Sequence, residues 1–205
     1  MLGVGKINIR KINDNVMFRV RSKIDLINII IPIFDSYPMF TAKYWDYINF
    51  KKNLLDNVLF YNDFKDYKRP NLTPINSIDD IISFSYFDDW LVGFIEAKGC
   101  FTTYKASNDK NDTASFKIRQ TDGLQIINAI KSRLSLKANV YVDKTNSAHL
   151  KTTSVEGIQT TIQFLKQSNA KLKGYKRLQY LLFLKNLRAN PRYKTLIIPL
   201  KYGNG

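Results

Sequence analysis

Apolar and polar residues alternate over positions 2–10 and 16–21, where Val16, Phe18 and Val20 are set against Arg19 and Arg21. A period of two marks strands, and Asn13-Asp14-Asn15 supplies turn formers, so the pattern predicts a hairpin with one basic face. Ser22 is placed to cap an apolar helix over 23–34 that stops near Tyr37-Pro38, and Thr41 to cap a second over 42–59. Residues 62–80 carry Pro70, Pro74 and scattered charges without periodicity, which reads as a linker.

Beyond it the pattern becomes regular. A helix over 89–98 precedes strands near 100–105 and 115–121, a helix over 122–134, strands at 139–143 and 149–153, and helices over 154–167 and 174–188. A shift of 130 positions superimposes Phe34 on Phe164, Lys43 on Lys173, Phe50 on Tyr180 and Leu54 on Leu184, and roughly pairs the hairpin 2–21 with 139–153. The first part therefore reads as the back half of a unit that the second part contains whole. Three segments follow: 1–60 as the closing part of a first half-domain, 61–86 as linker, and 87–205 as a complete second half-domain.

Charge changes this picture. Against 17 Asp and Glu stand 32 Lys and Arg, for a net charge of +15. Such a field favours phosphate-rich partners. Arg10, Lys11, Arg19, Arg21, Lys105, Lys117, Arg119, Lys144 and Lys151 fall on or beside predicted strands and are the candidate nucleic-acid contacts, although any one of them reads equally well as a solvated surface cation. The longest apolar stretch, 26–34, is broken by Asn28 and Pro32, so no membrane span is expected. One cysteine and one histidine exclude a disulfide framework and a Cys/His zinc site. Abundant Lys, Asn, Ile, Phe and Tyr with few Gly and Pro match an AT-rich genome such as a mitochondrial one, and the basic start lacks the serine-rich amphipathic character of a transit peptide.

In residues 90–101, Gly93 and Ala97 lie four apart on one helix face beside Leu91 and Phe94, which lets a second helix approach closely. The sequence Leu-Val-Gly-Phe-Ile-Glu-Ala-Lys-Gly at 91–99, with Trp90 before it and Cys100-Phe101 after, resembles the LAGLIDADG motif of homing endonucleases and intron maturases. The run 171–188, then Pro191-Arg192-Tyr193 and Ile198-Pro199, is similar to the close of double-motif fungal mitochondrial members, and 32–38 with Lys43 to the end of such a protein's first half.

The resemblance implies an α+β fold in which antiparallel, saddle-shaped sheets lie along nucleic acid and two motif helices pack together at Leu91, Gly93, Phe94 and Ala97. The first repeat would be incomplete. Active relatives hydrolyse phosphodiesters with Mg²⁺ held by an acid at the eighth motif position. Here that position is Lys98, whose ammonium donates and cannot ligate a cation. Glu96, at the sixth position, remains only a weak metal candidate. Gln120 matches the family's water-organising glutamine, and Lys173 and Lys43 its basic catalytic residues; apart from the resemblance, these are a strand-end polar residue and two solvated helix starts.

The expected protein is thus a basic nucleic-acid binder derived from a homing endonuclease, without nuclease activity and without a cofactor, Mg²⁺ entering only if it still cuts. RNA is favoured over DNA, as for a group I intron maturase or a ribonucleoprotein component such as the mitochondrial ribosome, in the mitochondrial matrix. An active site-specific DNA endonuclease and a non-cutting DNA-binding remnant are the alternatives. Lys98 is expected to pair with an acid on an opposite helix or with a phosphate. A second chain supplying the first motif, or a second copy, is the expected protein partner.

Overall fold

The computed structural model describes residues 3–10, 15–58, 66–70, 72–105 and 112–200. The chain forms two compact units, Met1–Pro74 and Ile75–Gly205.

The first unit opens with β1 (Lys6–Arg10) and β2 (Asn15–Arg19), antiparallel with Lys6 opposite Arg19 and Ile7 opposite Phe18. The turn 11–14, and with it Lys11, lies outside the described residues. Alternation puts Lys6, Asn8, Met17 and Arg19 on one face and Ile7, Ile9, Val16 and Phe18 on the other. A helical run follows as α1 (Lys23–Asp25), a π-helical stretch (Leu26–Ile30) and α2 (Ile31–Ser36). Ser22 accepts from the Asp25 amide, as its position predicts. The π-stretch lies just before Pro32, whose ring would crowd the carbonyl four residues back in an α-helix. Next comes α3 (Lys43–Leu55), which is shorter than expected because Asn57 turns into the left-handed region, at φ 56°. Thr41 does not cap it: the preceding residue is Ala42 and no side-chain cap forms. Tyr47 holds α3 to α2 by donating to the Ile31 carbonyl at 3.1 Å and to Asp35 at 2.6 Å, while Lys51 reaches the other Asp35 oxygen.

In the second unit, α4 (Ile78–Ser83) lies within the stretch that read as linker; Ser77 caps it and Ile81 is buried. Six residues are too short to show a helical period, which is why the pattern missed it. Then follow α5 (Phe87–Lys98), β3 (Cys100–Tyr104), β4 (Thr113–Thr121), α6 (Leu124–Arg133), β5 (Val140–Val142), β6 (Ser147–Thr152), α7 (Val155–Gln167) and α8 (Gly174–Ala189). Asp122 adopts φ 52°, so α6 begins two residues later than expected. The sheet is antiparallel in the order β3-β4-β6-β5. Its inner face, Phe101, Ala114, Phe116, Ile118, Ala148 and Leu150, is buried beneath the helices. Each large side chain so covered contributes about 1.5–3 kcal/mol.

The two units differ at positions that the 130-residue shift pairs. Tyr180 is fully buried, with its ring 4.9 Å from Phe101 on β3, whereas its counterpart Phe50 is 41% exposed. Likewise Ile7, Ile9, Val16 and Phe18 are each more than half exposed, although the matching strands of the second unit bury Ala148 and Leu150.

Candidate nucleic-acid interface

The strand registers decide which predicted basic residues come together. On the outer face of the four-stranded sheet Lys117 stands directly opposite Lys151, and the next row is Arg119, His149 and Tyr141. Lys117, Arg119 and Lys151 are exposed, as is Lys144 in the β5–β6 turn. Like charges directly opposite on a sheet destabilise it, so the pair Lys117/Lys151 costs free energy unless an anion lies between. The hairpin of the first unit repeats the arrangement with Lys6 opposite Arg19, and Arg21 follows on the same chain with Lys6 and Arg19 around a cavity of about 340 Å³. Arg10 sits at the end of β1 opposite Asn15, and Lys105 is exposed just beyond β3.

Sequence reasoning missed Lys6, Tyr104, Tyr141 and His149. Tyr104 receives a hydrogen bond from Lys151 at 3.1 Å, with the ammonium 4.9 Å from its ring centre, so a cation and an aromatic share one patch. His149 lies 2.8 Å from Asp143, which also accepts from the Thr145 hydroxyl and the Ser147 amide; these donors, led by Thr145, hold its carboxyl well below the usual range. The alternation of strand residues was the available signal for Tyr104 and Tyr141, but their cross-strand neighbours depend on register.

The motif helix α5 turns two different sides to its surroundings. Leu91 and Ile95 are fully buried and Val92 nearly so, so Leu91 belongs to the core of its own unit and not to an open helix face. Gly93 and Ala97 are exposed and Phe94 half-buried, and nothing lies within 4 Å of where a Gly93 Cβ would stand. Trp90 stacks on Phe94 with ring centres 4.7 Å apart.

The acids of α5 are committed to the fold. Asp88 makes a paired contact with Arg133, at 2.7 and 2.5 Å, and Asp89 accepts from the Ala170 amide. Glu96 accepts from the Lys173 amide at 2.8 Å, which satisfies a free N–H at the start of α8. Lys98 is exposed, and no acid among the described residues pairs with it. Among the described residues no group of three or more His, Cys, Asp or Glu is placed to hold a metal ion. These residues do not fit Mg²⁺, which needs carboxylate oxygens where Lys98 offers an ammonium.

Gln120 is half-buried at the end of β4, donates to the Thr121 carbonyl and packs against Gly123. Lys173 is exposed at the start of α8. In the first unit Lys43 is bound to Asp46 at 3.0 Å. Arg69, with Lys43 assisting, holds the Asp46 carboxyl down to about 2. No helix among the described residues is long and apolar enough to cross a membrane.

Basic antiparallel strands backed by helices, with the motif helix α5 leading into β3, are the fold class that homing endonucleases share. The chain belongs to the LAGLIDADG endonuclease family, whose sequence model matches residues 1–54 and 91–187. It is 33% identical over 141 residues to the probable intron-encoded endonuclease aI3 of Dictyostelium citrinum, covering 67% of this chain and 54% of that one. It is 26% identical over 216 residues to the probable intron-encoded endonuclease Cox1-I1b of Schizosaccharomyces pombe, covering 96% and 53%. The chain thus spans about half the length of these relatives. Its fold matches that of the LAGLIDADG meganuclease I-CpaMI bound to uncleaved DNA, at 23% identity and a TM-score of 0.71 over 92% of this chain and 73% of the other. I-GzeII in complex with its DNA target gives 24%, 0.70, 89% and 70%.

Proposed function

We propose that this protein binds nucleic acid through the outer faces of its strands and does not cleave it, serving in the mitochondrial matrix as an RNA-binding maturase or ribonucleoprotein component. What supports the non-cleaving part is the state of the motif's end: Lys98 stands where the resemblance puts a metal-binding acid, and Glu96 is bound to the Lys173 amide. Binding is supported by the like-charge rows Lys117/Lys151 and Lys6/Arg19, which a phosphate backbone would neutralise. The preference for RNA follows from this loss of nuclease chemistry in a family with maturase members.

The reading extends to a protein partner. Residues 1–60 act as the back half of a repeat, joined through residues 61–86, whose helix α4 packs within the second unit, to a second half-domain over 87–205. In the second unit, the open face of Gly93 and Ala97 is covered by a first motif helix from a further half-domain. A separate chain or a second copy is one source of that half-domain, and a longer form of this chain is another.

Crosslinking in the native source, followed by sequencing of the bound nucleic acid and mass identification of co-purified chains, tests both parts. Recovery of an intron or ribosomal RNA is the expected result. Recovery of a discrete DNA site alone would replace the RNA reading with a DNA-binding one.

A further inference from the structure

From Gly157 to the end the sequence contains ten Lys and Arg and no Asp or Glu. This one-signed segment includes α8, and α8 leaves an uncommonly wide side uncovered. Its core side is Tyr180, Phe183, Leu184 and Leu187, yet Tyr175 is 82%, Leu178 62% and Leu182 58% exposed. These three recur at helical spacing and form one wall of a cavity of about 440 Å³ along β3, the edge strand of the sheet. Phe101 and Phe183, with ring centres 5.4 Å apart, also line it.

The polar groups of this groove are partly engaged and partly open. Gln179 accepts from Lys176 through its carbonyl oxygen, which leaves its amide N–H groups as donors. Asn186 donates to the Thr103 hydroxyl, which leaves its carbonyl oxygen as an acceptor. They are two helical turns apart, about 10 Å. The groove therefore offers an exposed ring, apolar walls, a donor and an acceptor, within a segment whose ionised side chains are all cationic. A membrane surface would suit the charge and the leucines but would leave a concave, amide-lined groove unfilled.

We infer that the groove between β3 and α8 binds one or two unpaired nucleotides of RNA, with a base stacked on Tyr175 and base edges meeting Gln179 and Asn186. Duplex DNA keeps its bases paired and stacked, whereas RNA loops and bulges present them singly. This rests on the nucleic-acid reading above but uses a different surface from the outer face of the sheet.

The test is photo-crosslinking of the full chain to a 4-thiouridine-labelled pyrimidine RNA 12-mer, with peptide mapping and titration. Crosslinks are expected in 174–186, and Tyr175→Ala and Leu182→Asp, both at exposed positions, are each expected to weaken binding of the 12-mer about tenfold, the scale of a lost base stack. Binding of a fully paired duplex should stay unchanged. Crosslinks confined to the Tyr104 and Tyr141 peptides, equal labelling of 174–186 by the matching deoxyoligonucleotide, or capture of the groove by anionic vesicles and not RNA would each overturn the assignment. If the chain bound no nucleic acid at all, the proposed function itself would fall; binding that the groove variants leave unaffected sinks the groove alone.

Discussion

The Glu96 carboxylate accepts a hydrogen bond from the backbone amide of Lys173 at 2.8 Å, joining residues 77 positions apart. The last turn of the motif helix thereby supplies the cap that α8 lacks from its own chain, since Lys173 makes no side-chain cap. Loss of such a cap costs about 1 kcal/mol. Glu96→Ala should lower the unfolding free energy by that amount, with Glu96→Gln intermediate because a neutral amide oxygen interacts less with the helix dipole. Denaturant titration that finds both variants equal to the parent would remove the capping role.

The proposed loss of cleavage turns on Lys98. The unmodified chain is expected to leave duplex DNA intact in Mg²⁺, including any site it binds. Lys98→Glu restores one acid and removes a repelling charge, so it should take up Mg²⁺ more readily without cutting alone. Magnesium-dependent cleavage by the parent chain on a gel would refute the non-cleaving reading.

The like-charge row gives a prediction with opposite signs in two assays. Lys117→Ala should raise the stability of the free protein by about 0.2–1 kcal/mol, because it relieves repulsion by Lys151. It should also weaken nucleic-acid binding and reduce the salt slope of log K by about 1. A thermal melt and a salt titration read the two effects separately.

Gly93 offers a similar contrast. With nothing near its missing Cβ, Gly93→Ala should stabilise α5 by up to about 1 kcal/mol in the chain by itself. Gly93→Leu should leave the fold intact and abolish association with a complementary half-domain, measured by co-purification. Unimpaired association of the leucine variant would argue against helix contact at this face.

Acid should act on the first unit through Asp46. Its folded carboxyl is held at about 2 by Arg69 and Lys43, below the ordinary carboxylate value, so its contribution is complete above about pH 4 and is lost as pH falls toward 2. Trp45, whose indole donates to the Leu72 carbonyl, is a fluorescent reporter beside this cluster. An acid transition in its emission is expected, and Asp46→Asn should remove that step and lower stability at neutral pH.

Much of the fold was legible along the chain. The period-two pattern of the β1–β2 hairpin, the cap at Ser22 and the small residues of α5 are local signals, set by backbone preference and side-chain size, and the structure carries each of them. The helix α4 and the end of α3 were not, because six residues define no period and a left-handed Asn57 leaves no mark in hydropathy. Within the candidate interface, sequence named Lys117, Arg119 and Lys151 but not their neighbours Tyr104, Tyr141 and His149.

The sequence alone determined the charge, the motif and the lysine at position 98, since these are properties of composition and order. Only the tertiary structure decided that Lys117 faces Lys151, that Leu91 turns inward while Gly93 stays open, and that Glu96 is bound to Lys173. Those relations join residues far apart in the chain. Strand register and helix rotation set them, and both follow from how the whole core packs.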